Sequence, residues 1–323
     1  MTQAGTNLII GIDVSKDKLD IYILPNEEHF VVENTRNKIS QFIRKLGPKG
    51  TIGMIVMEAT GGYETLAFEL FSMSNLPVHI AHPNKVFYYG KAKGYFAKTD
   101  KSDAKMIANY GLENKLEKTI FNKDQQHMQS ISARMIQIKD DLRTTRCRLS
   151  APSLNADMKK SLKRQESWLV SELKILETKM NNLIAKDDSL SEIKDIITSV
   201  KGVGEGTANL LICQMKELGK LNKQEIAALS GLAPRNQDSG RKVGARKITG
   251  GKEDIRKSLY LCALSASKYN TKLKELYNRL IAKGKKPKVA LIAVARKLIV
   301  IINHLVAKKT KWEDGYEKNT ITA

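Results

Sequence analysis

Residues 8–24 read LIIGIDVSKDKLDIYIL, and the fold turns on how that stretch is parsed. Leu8, Ile9, Ile10 and Ile12 form an apolar run that Asp13 interrupts. Ser15 to Lys18 is polar enough to turn the chain, and Leu19 to Leu24 resumes a strand pattern. Two β-strands joined by a tight turn are expected. A carboxylate inside a buried strand is costly unless a metal ion or a hydrogen-bond partner offsets it. A surface aspartate at a strand end is the plainer alternative, and this stretch alone leaves both open. What tips the balance is that three more carboxylates follow in suitable places.

Working outward, strands are expected at 8–14, 18–24 and about 29–34, then a helix over 36–46 with Ile39, Phe42, Ile43 and Leu46 on one face. A fourth strand runs from Ile52 to Met57 and ends on Glu58. Ala59 to Gly62 turns, and Tyr63 to Met73 is an amphipathic helix. Val78 to Ala81 is a short strand, His82-Pro83-Asn84 opens a helix with proline near its first turn, and a last helix begins near Thr99. This order predicts a mixed sheet with helices, an α/β unit similar to the ribonuclease H superfamily.

From about Asp124 the pattern becomes helical. Met128, Ile131, Met135, Ile138, Leu142 and Leu149 make an apolar seam that only Thr145 breaks, and Ser150 to Ser153 ends the helix. A second seam runs through Leu162, Leu169, Leu173, Leu176, Met180 and Leu183. An antiparallel hairpin, a coiled-coil dimer arm and an ordinary helical domain all fit such seams. Ile193 to Met215 then reads as helix, turn and helix. Lys201, Gly202 and Gly204 lie in the turn, where glycine lets backbone approach a phosphate. That is the pattern of a helix-hairpin-helix, which grips the DNA backbone; a plain helical hairpin with glycine caps reads the same way. Leu229 to Gly251 is loop-rich and studded with Arg235, Arg241, Lys242, Arg246 and Lys247, with Ser239 at its centre. Helices over 253–282 and 287–308 close the chain.

Charge is segregated. The 323 residues carry 55 Lys+Arg against 34 Asp+Glu, a formal net charge of +21. From Arg235 to Lys311 there are 21 basic and 4 acidic residues, which points to a polyanionic partner, most simply nucleic acid. Cys147, Cys213 and Cys262 form no CxxC pair, which argues against zinc and a disulfide framework and fits a reducing cytosol. The opening residues do not read as a signal peptide. The most apolar stretch, Val289 to Val306, contains Arg296, Lys297, Asn303 and His304, so a buried helix is expected there and not a membrane span.

The chemistry converges on four carboxylates. Asp13 lies on the first strand, Glu58 ends the fourth, and Asp100 and Asp103 stand i,i+3 on one helical face. Neighbouring first and fourth strands with the last helix beside them would bring all four together. Oxygen ligands without nearby Cys or His favour Mg²⁺ or Mn²⁺. Two such ions about 4 Å apart can stabilise in-line displacement at a phosphodiester. Three further carboxylates are set aside: Asp17 belongs to the turn, Asp20 is expected to face solvent, and Glu64 begins a helix, where an acid suits the dipole.

The segments GIDVSKDKLD, MEATGGYE, AHPNKVFYYGKAKGYFAKTDKSDA and GLAPRNQDSGRKVGARKITGG, in that order, resemble the DEDD transposases of the insertion-sequence 110 family, also called bridge-RNA-guided recombinases, and the related Piv-type invertases. The resemblance covers nearly the whole chain. It implies a RuvC-like catalytic domain (1–118), a coiled-coil connector (119–190) and a mostly α-helical transposase domain with the helix-hairpin-helix (191–323). It matches Asp13, Glu58, Asp100 and Asp103 to the tetrad and Ser239 to the serine nucleophile. One departure is Gly250-Gly251-Lys252, where Gly-Asn or a similar pair is expected. The implied function is site-specific DNA recombination through a phosphoserine, with donor and target DNA, a guide RNA, a homodimer or tetramer, and a cytoplasmic, nucleoid-associated location without a membrane. On the residues alone, Ser239 is a turn residue or phosphate ligand as readily as a nucleophile. Two alternatives stay open: a metal-dependent junction endonuclease without a covalent intermediate, and a non-catalytic architectural nucleic-acid-binding protein.

Overall fold

The structure is a computed structural model and describes residues 7–46, 51–95, 99–235 and 247–313. The chain divides into two compact units, residues 1–122 and 123–323. Among the described residues it holds twelve helices, one five-stranded mixed sheet and one two-stranded ribbon.

The first unit is built on β1 (Leu8–Val14), β2 (Lys18–Leu24), β3 (Glu28–Glu33), β4 (Ile52–Glu58) and β5 (Val78–Ala81), in the order β3-β2-β1-β4-β5. β1 is antiparallel to β2 and parallel to β4, and β4 is parallel to β5. Strand alternation sorts the side chains of β1 between two faces. Ile10 and Ile12, both fully buried, pack toward α1 (Arg36–Lys45) and α2 (Thr65–Met73), whose Ile39, Phe42, Phe68 and Phe71 share their core. Gly11 faces the opposite way, toward α4 (Asp100–Glu113). Each buried isoleucine is worth roughly 1.5–3 kcal/mol. A one-residue slip of β1 would drive Ile12 under α4 and turn Asp13 into the other core, so the register is strongly held.

α4 lies very close to β1. A Cβ on Gly11 would come within 2.2 Å of the Ala108 nitrogen, and one on Gly111 within 2.7 Å of Val56 Cγ2. Those contacts orient the helix. Ala104 and Ala108 meet Gly11, while Gly111 meets Ile9 and Val56. The N-terminus of α4 therefore lies toward the C-terminal end of β1. α3 (Pro83–Ala92) packs beside α4 through Val86, Ile107 and Tyr110.

The second unit is helical. α5 (Lys123–Leu149) and α6 (Ala156–Ala185) pack along each other as an antiparallel hairpin, and both apolar seams are used. Met128, Ile131, Met135, Ile138 and Leu142 are buried from α5, with Thr145 closing the seam at 1 % exposure; Leu169, Leu176, Met180 and Ile184 are buried from α6. The same core continues through α7 (Asp188–Ser199), α8 (Glu205–Gln214), α9 (Lys223–Leu229), α10 (Glu253–Tyr269), α11 (Thr271–Ala282) and α12 (Pro287–Lys308), ending at Trp312.

Two elements differ from the sequence expectation. The helix expected over 253–282 is two helices, α10 and α11, broken at Asn270. That residue is fully buried, extended at φ −100° and ψ 113°, and its side-chain oxygen accepts from the Leu273 N–H as an N-cap. α9, inside the stretch before the basic loop, is an additional short helix with an Asn222–Glu225 capping box. α12 is long and apolar enough to cross a membrane, yet most of its apolar stretch is buried inside the second unit. Its Asn303 accepts from the Gly219 N–H at 2.8 Å and donates to the Leu221 carbonyl at 2.7 Å, so its polar residue is used within the core.

Candidate active site

Asp13 and Glu58 come to one place because two parallel strands end together. β1 and β4 pair as Gly11↔Val56 and Ile12↔Met57; Asp13 and Glu58 are the next residue on each strand. Side chains in register on adjacent strands share a face. Two residues back, Gly11 and Val56 both touch α4, so Asp13 and Glu58 project to the α4 side at the C-terminal edge of the sheet. The turn beyond β4 is fixed locally: Glu64 Oε2 accepts from the Thr60 and Gly62 N–H groups at 3.0 and 2.9 Å. Glu64 is thus a structural residue, as expected of it.

The start of α4 is fixed by a capping box. Ser102 N–H donates to Thr99 Oγ1 at 3.2 Å, and Thr99 N–H to Ser102 Oγ at 3.0 Å. That places Asp100 and Asp103 in the first turn, where the helix dipole favours carboxylates. The electrostatics follow the geometry. Burial first, then the charges of Asp103, Asp100 and Asp20, push the Asp13 carboxyl up to about 6. Asp13, Asp100 and Asp103 therefore share one electrostatic environment, with Glu58 one strand away on the same face.

Asp20 corrects the sequence expectation that it faces solvent: it is only 4 % exposed. The antiparallel register pairs Asp13 with Asp20, which puts both on the α4 side, where Tyr22 and Leu24 pack with Ala104 and Ala108. Its charge is compensated. His29 Nε2 lies 3.1 Å from Asp20 Oδ1 and Lys18 Nζ 3.1 Å from Asp20 Oδ2. The same Lys18 ammonium donates to Asp100 Oδ2 at 2.6 Å, and that bond holds the Asp100 carboxyl below its ordinary value. Lys18, Asp20 and His29 are the parts of this site that sequence reading did not pick out.

The donor chemistry suits a hard divalent cation: oxygen ligands only, and enough negative charge to hinder ionisation of Asp13. Among the described residues, however, no three His, Cys, Asp or Glu side chains are gathered closely enough to hold an ion as they stand. Lys18 holds Asp100 Oδ2 and Asp20 Oδ2 together, and so competes with a cation for the Asp100 carboxylate.

The second candidate region lies in the helical unit. The turn between α7 and α8 holds Lys201, exposed, with Gly202 and Gly204. Gly202 has a packing reason of its own: at φ +102°, a Cβ there would meet the Ala266 backbone nitrogen at 2.7 Å. Gly204 caps α8 and faces open space. Glu205, at the start of α8, pairs with Lys194 at 3.0 Å.

β6 (Pro234–Arg235) and β7 (Lys247–Ile248) form a short antiparallel ribbon that sets Arg235 opposite Lys247. Ser239, Arg241, Lys242 and Arg246 lie outside the described residues. At the base of this ribbon Gly251 stands at φ +64° with its α-carbon against the Gly231 backbone, and a Cβ would meet the Gly231 nitrogen at 2.3 Å. The departure at Gly250-Gly251 therefore has a physical account: asparagine tolerates that dihedral, but its Cβ does not fit the space. Arg256 Nη1 donates to the Gly250 carbonyl at 2.7 Å and the Lys252 N–H to the Leu229 carbonyl at 2.9 Å, closing the base.

Residues 10–152 match the IS110 DEDD family model, described as a transposase, and residues 194–278 match the model described as "Transposase IS116/IS110/IS902 family". The chain belongs to the IS110 family of transposases. This transposase is 25 % identical over 314 residues to the pilin gene-inverting protein of Moraxella bovis, across 90 % of this chain and 93 % of that one, with the same figures for that of Moraxella lacunata. It is 26 % identical over 150 residues to the insertion element IS110 uncharacterized 43.6 kDa protein of Streptomyces coelicolor, covering 45 % of this chain and 37 % of that protein. The first match contains the whole carboxylate edge; the second contains the α7–α8 turn and the β6–β7 ribbon. DNA is thus the partner class of a transposase built this way.

Proposed function

We propose that this transposase is a site-specific DNA recombinase of a mobile element, with a RuvC-like first unit. Asp13, Glu58, Asp100 and Asp103 of that unit would hold two Mg²⁺ or Mn²⁺ ions, and Ser239 of the second unit attacks the scissile phosphodiester. The observation that supports it best is the convergence at the C-terminal edge of β1 and β4: burial first, and then the charges of Asp103, Asp100 and Asp20, push the Asp13 carboxyl up to about 6, with Glu58 on the same face. A protein that only held DNA would have no use for such a cluster beside a polyanion. Bound divalent ions supply Lewis-acid stabilisation of charge at the phosphate.

The chain's residues do the rest. Ser239 Oγ loses its proton to a base and forms a bond to phosphorus; the deoxyribose oxygen leaves and takes up a proton as a free hydroxyl. The phosphoserine conserves the bond energy, so the reverse attack by a hydroxyl rejoins strands without an external energy source. Arg235, Arg241, Lys242, Arg246 and Lys247 neutralise phosphate charge around the serine. Lys201, Gly202 and Gly204 contact backbone phosphate in the manner of a helix-hairpin-helix, with Gly204 the open position. Lys283, Lys285, Lys286 and Lys288, all exposed around the α11–α12 turn, add a basic patch that sequence reading did not single out. The substrates are donor and target DNA. Inversion, named for the Moraxella relatives, uses the same cutting and joining on two sites of one molecule. Target choice comes from a guide RNA, the coiled-coil hairpin supports a dimer or tetramer, and the protein works in the cytoplasm at the nucleoid.

The test separates the two groups of residues. Asp13→Asn or Asp103→Asn abolishes strand cleavage with DNA binding kept. Ser239→Ala abolishes the protein–DNA adduct seen on denaturing gels when exchange is stalled. Wild-type recombination by Ser239→Ala would replace the covalent mechanism with a metal-dependent junction nuclease.

A further inference from the structure

α3 offers an unusual outer face. Its inner side is tightly packed: Val86 is fully buried, and a Cβ on Gly90 would meet Met106 Sδ at 2.3 Å. Its outer side carries Asn84, Phe87, Tyr88 and Lys91 at i, i+3, i+4 and i+7, one stripe of the helix. Phe87 is 53 % exposed and Tyr88 67 %. The two rings stand edge to face with centroids 5.5 Å apart, and the Lys91 ammonium lies 4.4 Å from the Phe87 centroid. Adjacent exposed aromatic rings cost solvation free energy, and nothing in the unit's own packing requires them.

Charge and position say what covers them. Between Glu69 and Asp100 the chain has no carboxylate but four lysines, of which Lys85, Lys91 and Lys93 lie among the described residues. Lys93 is paired with Glu113 at 2.6 Å, which leaves Lys85 and Lys91 on the aromatic side. β5 runs parallel to β4, with Glu58 opposite Ala81, and α3 begins directly after, at the His82 N-cap. The first turns of α3 therefore rise from the same sheet edge as Asp13 and Glu58. Basic residues interleaved with exposed aromatics are what a polyanion with flat π faces recognises.

We propose that this face of α3 is a binding surface for unpaired nucleotides, with Phe87 and Tyr88 stacking on bases and Lys85 and Lys91 meeting the flanking phosphates. The placement beside the scissile phosphate rests on the reading of the carboxylate edge as a phosphodiester-cleaving site. A base in a duplex has both π faces covered by its neighbours, so the surface selects strand that has been opened. It holds nucleotides next to the cut in the separated state.

The experiment uses the full chain with chelator present, so that no strand is cut. Binding of a labelled single-stranded DNA oligonucleotide, the same sequence as RNA and the corresponding DNA duplex is compared for wild type and the Phe87→Ala/Tyr88→Ala double variant. Both positions are exposed, so the fold is expected to survive, and circular dichroism checks it. Affinity for single strands falls about tenfold or more, and affinity for duplex falls far less. The loss on DNA is at least as large as the loss on RNA, as an opened substrate strand requires, and a loss confined to RNA overturns the placement beside the cut. Tyr88→Trp keeps binding, and its fluorescence is quenched by the single strand. Unchanged single-strand affinity, an equal loss on duplex, or a change of oligomeric state in the double variant overturns the proposal; the last would give the face to a protein contact. The catalytic reading fails separately. Asp13→Asn keeps the α3 effect whatever happens to cleavage, and wild type that never cleaves DNA would remove the active site while leaving the stacking surface.

Discussion

Residues 1–122 carry 15 basic and 13 acidic side chains, whereas residues 123–323 carry 40 and 21. The nearly neutral unit nonetheless has the sharper electrostatics. Asp13, Asp20, Glu58, Asp100 and Asp103 lie toward one sheet edge, where Asp13 is half-buried and pushed up to about 6. In the helical unit the excess cations are spread over solvated surface, as at Lys283 to Lys288, all of them exposed. A like-charged cluster does chemistry only where burial keeps water from screening it, and a rigid sheet edge can enforce that. Exposed cations need no such rigidity for the phosphate contacts proposed for them, because exchanging counterions for phosphates does not depend on fixed geometry. Net charge reports where a polyanion docks, and local burial reports where it reacts.

The largest expected effect tests the basic half of that contrast. Affinity for nucleic acid should fall about 10³-fold or more between roughly 50 and 200 mM salt, because each neutralised phosphate releases counterion. Filter-binding or anisotropy titrations at several salt concentrations measure the slope. An affinity that ignores salt would mean that stacking or shape, and not the second unit's charge, dominates binding.

A smaller effect tests the acidic edge. Lys18 bridges Asp100 and Asp20, and so competes with a cation for Asp100. Lys18→Met should tighten Mn²⁺ binding by about three- to tenfold, since the variant frees Asp100 from a weak, solvent-screened ion pair and the lost ammonium also repelled the cation. Electron paramagnetic resonance titration of free Mn²⁺, without DNA, reads this directly. Weaker binding in the variant would make Lys18 a support for the carboxylates and not their competitor.

The smallest effect concerns stability. The Asp13 carboxyl rises from 3.8 to about 6 on folding, so between those values the folded state holds the proton more tightly than the unfolded chain. Stability contributed by Asp13 is present at low pH and is lost as pH rises through that window. At pH 8 in chelator, Asp13→Asn should therefore be more stable than wild type by on the order of 1 kcal/mol after allowance for solvent screening, and the gap should close near pH 4. Denaturant melts at the two pH values check it. A variant less stable than wild type at pH 8 would show that Asp13 is compensated in the folded protein.

The apolar runs and turn signals along residues 8–81 and the placement of Glu58 and Asp100 were enough to read the strands along the chain and the carboxylates' elements. The two apolar seams at 3–4 spacing were enough to read α5 and α6. Asp20 shows where such reading stops. Its i+2 and i+4 neighbours, Tyr22 and Leu24, marked its face as apolar, yet a charged residue beside a turn is ordinarily solvated, and only Lys18 and His29 make its burial tolerable. His29 reaches it from β3 across the sheet, a contact that local pattern does not encode. Asn270 is similar: helical periodicity runs straight through it, and a buried side-chain cap breaks the helix.

Sequence by itself determined the period of each segment, the charge imbalance and the order of elements, because those depend on neighbours a few positions apart. Only the tertiary structure decided that Gly11 lies bare beneath Ala104 and Ala108, that α4 can therefore approach β1 with its first turn at the Asp13 end, and that Lys18 spans 82 residues to reach Asp100. Those outcomes depend on which faces meet after the chain has closed its long loops, and so on packing distances that no local stretch of residues contains.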